Sequence, residues 1–279
     1  MFDIQVISCT AADAPANFER SLRETGFAVL TDHPITADRI ADAYEAWASI
    51  FGSDDKHRFL RNPDRQDGYF PYRSENAKDH PVKDLKEFFH VYPDGQLPEA
   101  AEEVTRALYA DLVDLGQILL GWVEDHADPA VRAGFSEPLT QMVAGSSENL
   151  LRILHYPALT DGVETGAVRA AEHGDINLIT LLVAGTEPGL EARDRRGGWH
   201  RVPCDPGMMV INAGDMLQLA SGGAYPSTPH RVMNPPAGHN VARYSMPMFL
   251  HPRPEVRLAP GKTARAYLLE RLREIGLKS

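Results

Sequence analysis

Two of the chain's eleven histidines stand where they could share a metal ion with a carboxylate. In Glu172-His173-Gly174-Asp175 the imidazole and the carboxylate are separated by one residue, so on an extended backbone both leave the same face. His230, in Pro226-Ser227-Thr228-Pro229-His230-Arg231-Val232, lies 57 positions further on (230 minus 173) and could complete a set of two histidines and one carboxylate. Such a set suits iron(II), because nitrogen and oxygen donors on one face leave the remaining coordination positions open for a chelating cosubstrate and dioxygen. A His-x-Asp tripeptide also occurs in turns and caps without any metal, and histidine is often a surface or satisfied core residue, so the triplet needs its surroundings. A zinc hydrolase could use the same donors. Its general base would have to be Glu172, which leaves the opposite face of the strand.

These side chains need strands to carry them. From Asn149 onward, short apolar runs around Leu150 to Tyr156, Ile176 to Val183, Met208 to Ile211 and Tyr244 to Leu250 are separated by Gly and Pro turns, which predicts a barrel or sandwich. Upstream, helix and short strand alternate. Pro15 to Thr25 reads as a helix closed by Gly26, Phe27 to Leu30 as a strand, and about Ile35 to Phe51 as a helix with Thr36 as cap and Gly52 as stop. Pro63, Gly68, Pro71, Pro81 and Pro93 break the next stretch into loops and short strands. The strongest helix runs from Pro98 to about His126, with Val104, Leu108, Leu112, Leu115, Leu119 and Trp122 at helical spacing. A last helix from about Thr263 to Ile275 shows Leu268, Leu269, Leu272 and Ile275 on one face, able to pack on the barrel, to close over substrate or to pair subunits. No repeat or linker divides the chain. It reads as one domain: an N-terminal region 1–97, a helix and connection 98–148, a metal-bearing core 149–253 and a terminal helix 254–279.

Composition narrows the partners. With 43% hydrophobic and 24% charged residues the chain is of ordinary globular type. A formal charge of -11, from 39 acidic and 28 basic residues, repels polyanions, and Arg193, Arg195 and Arg196 beside Gly197 and Gly198 read as a solvated turn. Nucleic acid is therefore not expected as a partner. Cys9 and Cys204 are too few to staple the fold or build a thiolate site, and Met1 to Pro15 lacks a basic start and a long apolar run. A cytoplasmic protein with no membrane contact is expected, its oligomeric state open.

More of the text joins the metal triplet: Tyr156-Pro157, Thr180-Leu181-Leu182, Gly189-Leu190-Glu191, Gly198-Trp199, Val202-Pro203, Ile211-Asn212-Ala213-Gly214-Asp215 and Arg243-Tyr244-Ser245, with weaker matches in Gly26-Phe27 through His33-Pro34 and Asp84 to Phe89. In order and spacing these resemble the isopenicillin N synthase-like family of 2-oxoglutarate and iron(II)-dependent oxygenases. The resemblance implies a mainly β fold with flanking helices, a double-stranded β-helix or jelly roll barrel, with His173, Asp175 and His230 holding Fe(II). It further implies that Arg243 and Ser245 grip the distal carboxylate of 2-oxoglutarate and that Tyr156 helps bind it. Guanidinium plus hydroxyl on one strand face is a strong carboxylate receptor. The implied reaction consumes O2 and 2-oxoglutarate, releases succinate and CO2, and oxidises a small-molecule substrate, usually by hydroxylation. Two positions depart from the pattern: Leu154 stands where many relatives carry asparagine, and Gly174 where threonine is frequent.

The family places N-terminal segments over the barrel opening, which implies a substrate wall from Gly68 to Tyr72 with Arg73, then Phe88, Phe89 and His90, so that Tyr69 and Tyr72 face the substrate. Aromatic walls with one cation favour a small organic acid or an amino-acid-like molecule. Phe88 and Phe89 could equally be core and Arg73 a solvated loop cation. Two rival functions use the same scaffold: an Fe(II) oxidase or cyclase that needs no 2-oxoglutarate, and a metal- or ligand-binding protein without turnover.

Overall fold

The computed structural model describes residues 2–75, 82–160, 164, 166–236 and 238–274. The N-terminal part alternates strands and helices: β1 (Val6–Ser8), α1 (Ala14–Thr25), β2 (Phe27–Thr31), α2 (Ala37–Gly52), β3 (Gly68–Phe70) and β4 (Glu87–Val91). The long α3 (Glu99–His126) and the short α4 (Pro129–Gly134) and α5 (Leu139–Val143) follow. Next come β5 (Leu150–Tyr156), β6 (Ala170–His173), β7 (Ile179–Val183), β8 (Leu190–Arg193), β9 (Trp199–Arg201) and β10 (Met209–Ala213). Then α6 (Asp215–Ala220), β11 (His230–Val232) and β12 (Arg243–Leu250) lead to a hairpin, β13 (Arg257–Ala259) and β14 (Lys262–Thr263), and to α7 (Ala264–Glu274). Ile275, expected on the apolar face of the last helix, lies outside the described residues.

Local signals place the helices. Thr36 caps α2 by accepting the Arg39 backbone N–H at 3.3 Å, and Gly26 ends α1 at φ 75°, its N–H bonded to the Leu22 carbonyl at 2.8 Å. Gly26 has a second duty. A Cβ there would come within 2.4 Å of the Pro226 carbonyl, so glycine lets the segment leading to His230 press against the end of α1, where Thr228 Oγ1 donates to the Thr25 carbonyl at 2.7 Å. In α3 the buried stripe is Leu108, Leu112, Leu115 and Leu119, each burial contributing about 1.5–3 kcal/mol. Val104 and Trp122 of the expected stripe are half-buried, and Thr105 takes a central place because its hydroxyl satisfies the Trp47 indole N–H at 2.9 Å.

Apart from the β13-β14 pair, the strands form two sheets rather than one closed barrel. The larger has the order β1-β2-β10-β7-β12-β5-β4-β3 and the smaller β6-β11-β8-β9. Their facing sides meet in one apolar layer, with Phe27, Val29, Phe88, Leu154 and Val210 from the large sheet against Ala170, Leu190, Ala192 and Val232 from the small one. The other side of the large sheet, with Ile153, Leu181, Ile211 and Met248, is buried under α1, α2, α3 and α5. Both faces of the large sheet are therefore covered. Strands of the N-terminal part and of the core share this sheet, β2 pairing with β10 and β4 with β5. Among the described residues no helix is long and apolar enough to cross a membrane.

Two strands start or stop differently from the sequence expectation, for one reason. The run expected to begin at Ile176 becomes strand only at Ile179, and β6 ends at His173, so Asp175 sits in a turn and not on extended strand. The backbone there is engaged by the start of α6: the Asp215 N–H bonds to the Asp175 carbonyl at 2.7 Å, and the Met216 N–H to the Ile176 and Asn177 carbonyls at 3.1 Å each. Loop-to-loop hydrogen bonds replace the ladder exactly where the carboxylate must be aimed.

Candidate active site

β6 and β11 are paired with His173 opposite His230, so register alone brings the two imidazoles together, their ring centroids 4.4 Å apart. Asp175 approaches from the turn, its Oδ1 3.7 Å from His230 Nε2. One potential donor atom from each of the three lies within 4.8 Å of the others. The remaining polar atoms are committed elsewhere. His173 Nδ1 is 2.7 Å from the Ala171 carbonyl and His230 Nδ1 3.2 Å from the Thr228 carbonyl, which assigns the proton to Nδ1 in each ring and leaves the Nε2 lone pairs free. Asp175 Oδ2 accepts from Asn212 Nδ2 at 2.8 Å and from the Thr180 hydroxyl, leaving Oδ1 to the cluster.

Electrostatics match a cation site. Burial, followed by the neighbouring His230, lowers His173 to about 4, so it offers a neutral donor at physiological pH. Burial would raise Asp175, but the two imidazoles and the Asn212 and Thr180 hydrogen bonds outweigh it and hold the carboxyl below the usual carboxylate range. Two imidazole nitrogens and one carboxylate oxygen form a donor set that fits Fe(II).

Asn212 and Thr180 lie in segments that sequence comparison singles out without giving them a role; here they aim the carboxylate. The same segment explains Gly214, where a Cβ would come within 2.3 Å of the Asn177 carbonyl and 2.9 Å of the Asp175 carbonyl. Replacing Asn212 by alanine is expected to weaken metal binding by about 10–100-fold, the usual cost of losing a residue that orients a ligand. Metal titration of the purified variant measures this.

Between the sheets lie Tyr156, Arg243 and Ser245, all nearly fully buried. Arg243 is the register partner of Tyr156 and its guanidinium carbon stands 5.2 Å from that ring; Ser245 is the partner of Leu154. Arg243 Nε donates to the Glu187 carbonyl at 2.8 Å, while Nη1 is buried without a partner. A buried cationic N–H left open is a receptor for an anion.

A cavity of about 480 Å³ has His173 and Asp175 on its wall. Of the expected substrate wall only His90 lines it. Alternation in a paired sheet decides the others. Phe88 and His90 leave one face of β4; Phe89 leaves the other, packing on Trp47 and Phe59. Tyr69 is the register partner of Phe89 and shares its side, its hydroxyl bonded to Glu87. Phe88 is buried in the layer between the sheets, stacked on Phe70 at 4.4 Å. Tyr72 and Arg73 lie beyond β3, exposed, with Arg73 paired to Glu164 at 2.8 Å. Tyr69, Tyr72, Arg73, Phe88 and Phe89 do not line this cavity.

In their place the cavity wall carries Lys86 and Arg152. Glu75 joins them, 2.9 Å from Lys86 and 3.2 Å from Arg152, and Lys86 also meets Asp84 at 2.8 Å. Asp84 in turn accepts the Ala171 backbone N–H at 3.0 Å, tying this network to β6 two residues before His173. Arg152 Nε donates to His90 Nε2 at 2.8 Å, and burial followed by the Arg152 charge keeps that imidazole neutral. Phe249, Leu150 and, from α7, Leu268 and Leu272 form the apolar side. The last helix thus covers the cavity, tethered to the start of α6 by Tyr267, whose hydroxyl donates to Asp215 at 3.0 Å. Glu75→Ala would leave Lys86 and Arg152 buried without their shared anion, and a loss of about 3–5 kcal/mol is expected on urea denaturation.

Two sheets enclosing a two-histidine, one-carboxylate cluster define the class of non-haem metal oxygenases. Comparison with known proteins carries this further. Residues 147–252 match the model of the 2OG-Fe(II) oxygenase superfamily, and residues 3–109 that of the non-haem dioxygenase in morphine synthesis N-terminal family. A solved structure assigned as an oxygenase, from Shewanella oneidensis, is 45% identical, covering 98% of this chain and 99% of its own, with a TM-score of 0.89. Another, assigned to the 2OG-Fe(II) oxygenase family and from Caulobacter crescentus, is 30% identical over 98% of this chain and 99% of its own, with a TM-score of 0.81. Feruloyl CoA ortho-hydroxylase 2 of Arabidopsis thaliana is 36% identical over 40% of this chain and 28% of its own length. That relative and two others are matched over only 28–41% of their own lengths, while the gibberellin 2-beta-dioxygenase 5 of Oryza sativa subsp. japonica is matched, at 26% identity, over 71% of its length. The chain belongs to the 2OG-Fe(II) oxygenase superfamily, and its two sheets are the double-stranded β-helix of that family. The family uses Fe(II), 2-oxoglutarate and O2.

Proposed function

We propose that this protein is a 2-oxoglutarate- and Fe(II)-dependent dioxygenase that oxidises a small polar substrate held in the cavity beside His173 and Asp175. The observation that carries the reading is the presence of two open receptors: a cluster of two imidazoles and one carboxylate oxygen, and the buried, unpartnered Nη1 of Arg243. In this reading His173 Nε2, Asp175 Oδ1 and His230 Nε2 hold the metal, and Arg243, Ser245 and Tyr156 hold the far carboxylate of 2-oxoglutarate. Bound iron supplies activation of O2 coupled to conversion of 2-oxoglutarate to succinate and CO2. The chain's share is placement. Arg243 fixes the cosubstrate end-on, Asn212 and Thr180 keep one Asp175 oxygen turned to the metal, and α7 shields the cavity from water.

The cavity's charges favour an amino-acid-like substrate over a simple acid. Lys86 and Arg152 are already matched by Glu75 and Asp84, so this network is charged at short range and balanced as a group. A zwitterionic head group finds both a cation and an anion there, while a bare anion would leave the carboxylates repelling it. Hydroxylation is the outcome assigned. The formal charge of -11 supports a protein working without nucleic acid, and the two free cysteines support a cytoplasmic setting.

Screening amino acids and carboxylic acids for stimulated succinate release from labelled 2-oxoglutarate by Fe(II)-loaded protein tests the proposal. Succinate formed in step with O2 consumption is expected. Substrate-driven O2 consumption that needs no 2-oxoglutarate would replace this reading with a direct Fe(II) oxidase.

A further inference from the structure

Arg169 ends the loop before β6 and is among the most buried residues in the chain, 1% exposed. A guanidinium in that position normally has a carboxylate partner. No ion pair to Arg169 or Arg243 is found among the described residues; the nearby Glu187 carboxylate is turned to His239, 2.8 Å away. Arg169 Nη2 donates to the Val241 carbonyl, two residues before Arg243, and its Nε is buried with no partner. Arg243 Nη1 is in the same condition. Burial, followed by the neighbouring Arg243 charge, holds Arg169 below the usual arginine range, with the Tyr156 hydroxyl group also within electrostatic reach. Two buried cations close enough to repel each other, each with an unsatisfied N–H, and no ion-paired carboxylate among the described residues, call for an anion from outside.

We infer that Arg169 is a second cationic arm of the cosubstrate pocket, sharing the distal carboxylate of 2-oxoglutarate with Arg243. The inference rests on the dioxygenase reading above. Leu154, the inward-facing register partner of Ser245, offers no hydrogen bond, so polar contact on that side of the pocket has to come from another strand, and the loop entering β6 provides it. In this role Arg169 touches the far end of the cosubstrate itself and is not one of the three clustered donor residues.

The test compares two 2-oxo acids by calorimetry under anaerobic conditions on the Fe(II)-loaded protein: 2-oxoglutarate, and 2-oxobutyrate, which lacks the distal carboxylate. Wild type should favour 2-oxoglutarate strongly. Arg169→Gln is expected to weaken 2-oxoglutarate binding by about 10–100-fold, the loss for a charge-assisted hydrogen bond, while 2-oxobutyrate affinity stays within about twofold. Arg169→Lys should recover part of the difference. The ratio of affinities matters, because a general structural defect weakens both acids alike. If Arg169→Gln does not fold, as judged by circular dichroism, Arg169→Lys is read by the same ratio. An unchanged ratio in a folded variant overturns the role of Arg169 alone; absence of 2-oxoglutarate binding to wild type overturns the dioxygenase reading with it.

Discussion

His230→Ala protein is expected to bind Fe(II) more than about 100-fold more weakly than the parent, above the 10–100-fold cost of losing a residue that only orients a ligand. Succinate release should fall to background with it. The variant should still fold. His230 touches the edge of Phe27 and lies at the end of β11, whose ladder to β6 and β8 is made by backbone groups that the substitution leaves in place. The distinguishing outcome is a well-folded protein that binds no metal, seen by circular dichroism alongside metal analysis. Normal loading and turnover in His230→Ala would remove this residue from the cluster.

Arg243→Ala should separate cosubstrate from metal. Truncating one partner of a buried, hydrogen-bonded charge pair costs about 2–5 kcal/mol, so the 2-oxoglutarate concentration for half-maximal turnover should rise by about 30-fold or more. Fe(II) binding should remain as in the parent, since Arg243 stands with Tyr156 and the Glu187 carbonyl and is not one of the three clustered donor residues. A simple loss of fold would lower both affinities; the account requires one to move without the other. An unaltered 2-oxoglutarate requirement would take Arg243 out of the cosubstrate pocket.

The convergence of His173, Asp175 and His230 was legible because its chemistry is local. Histidine and aspartate two apart must lie side by side on extended chain or in a tight turn, and His230 needed only a strand pairing, His230 to His173, to join them. The helices were legible for similar reasons: Gly26, Thr36 and the leucine stripe of α3 speak for themselves. The lining of the cavity beside His173 and Asp175 was not. Alternation along β4 separates Phe88 and His90 from Phe89, but it does not say which set faces the cavity, because the large sheet is buried on both sides and Phe88 and Phe89 are each 0% exposed. Only the pairing of β4 with β5, His90 opposite Arg152, resolves it. Lys86, Arg152 and Arg169 were missed for another reason. A cation in a strand or loop reads as solvated unless its burial is known, and burial depends on Glu75, Asp84 and the facing sheet, far away in sequence.

The central claim is that three side chains converge on one iron, with Arg243 facing it from between the sheets. An anaerobic crystal structure of protein loaded with Fe(II) and 2-oxoglutarate tests this most directly. The predicted result is an anomalous iron peak about 2.0–2.2 Å from His173 Nε2, Asp175 Oδ1 and His230 Nε2, with the cosubstrate's far carboxylate on Arg243. Iron bound away from these three atoms, or 2-oxoglutarate lying clear of Arg243, would contradict the account.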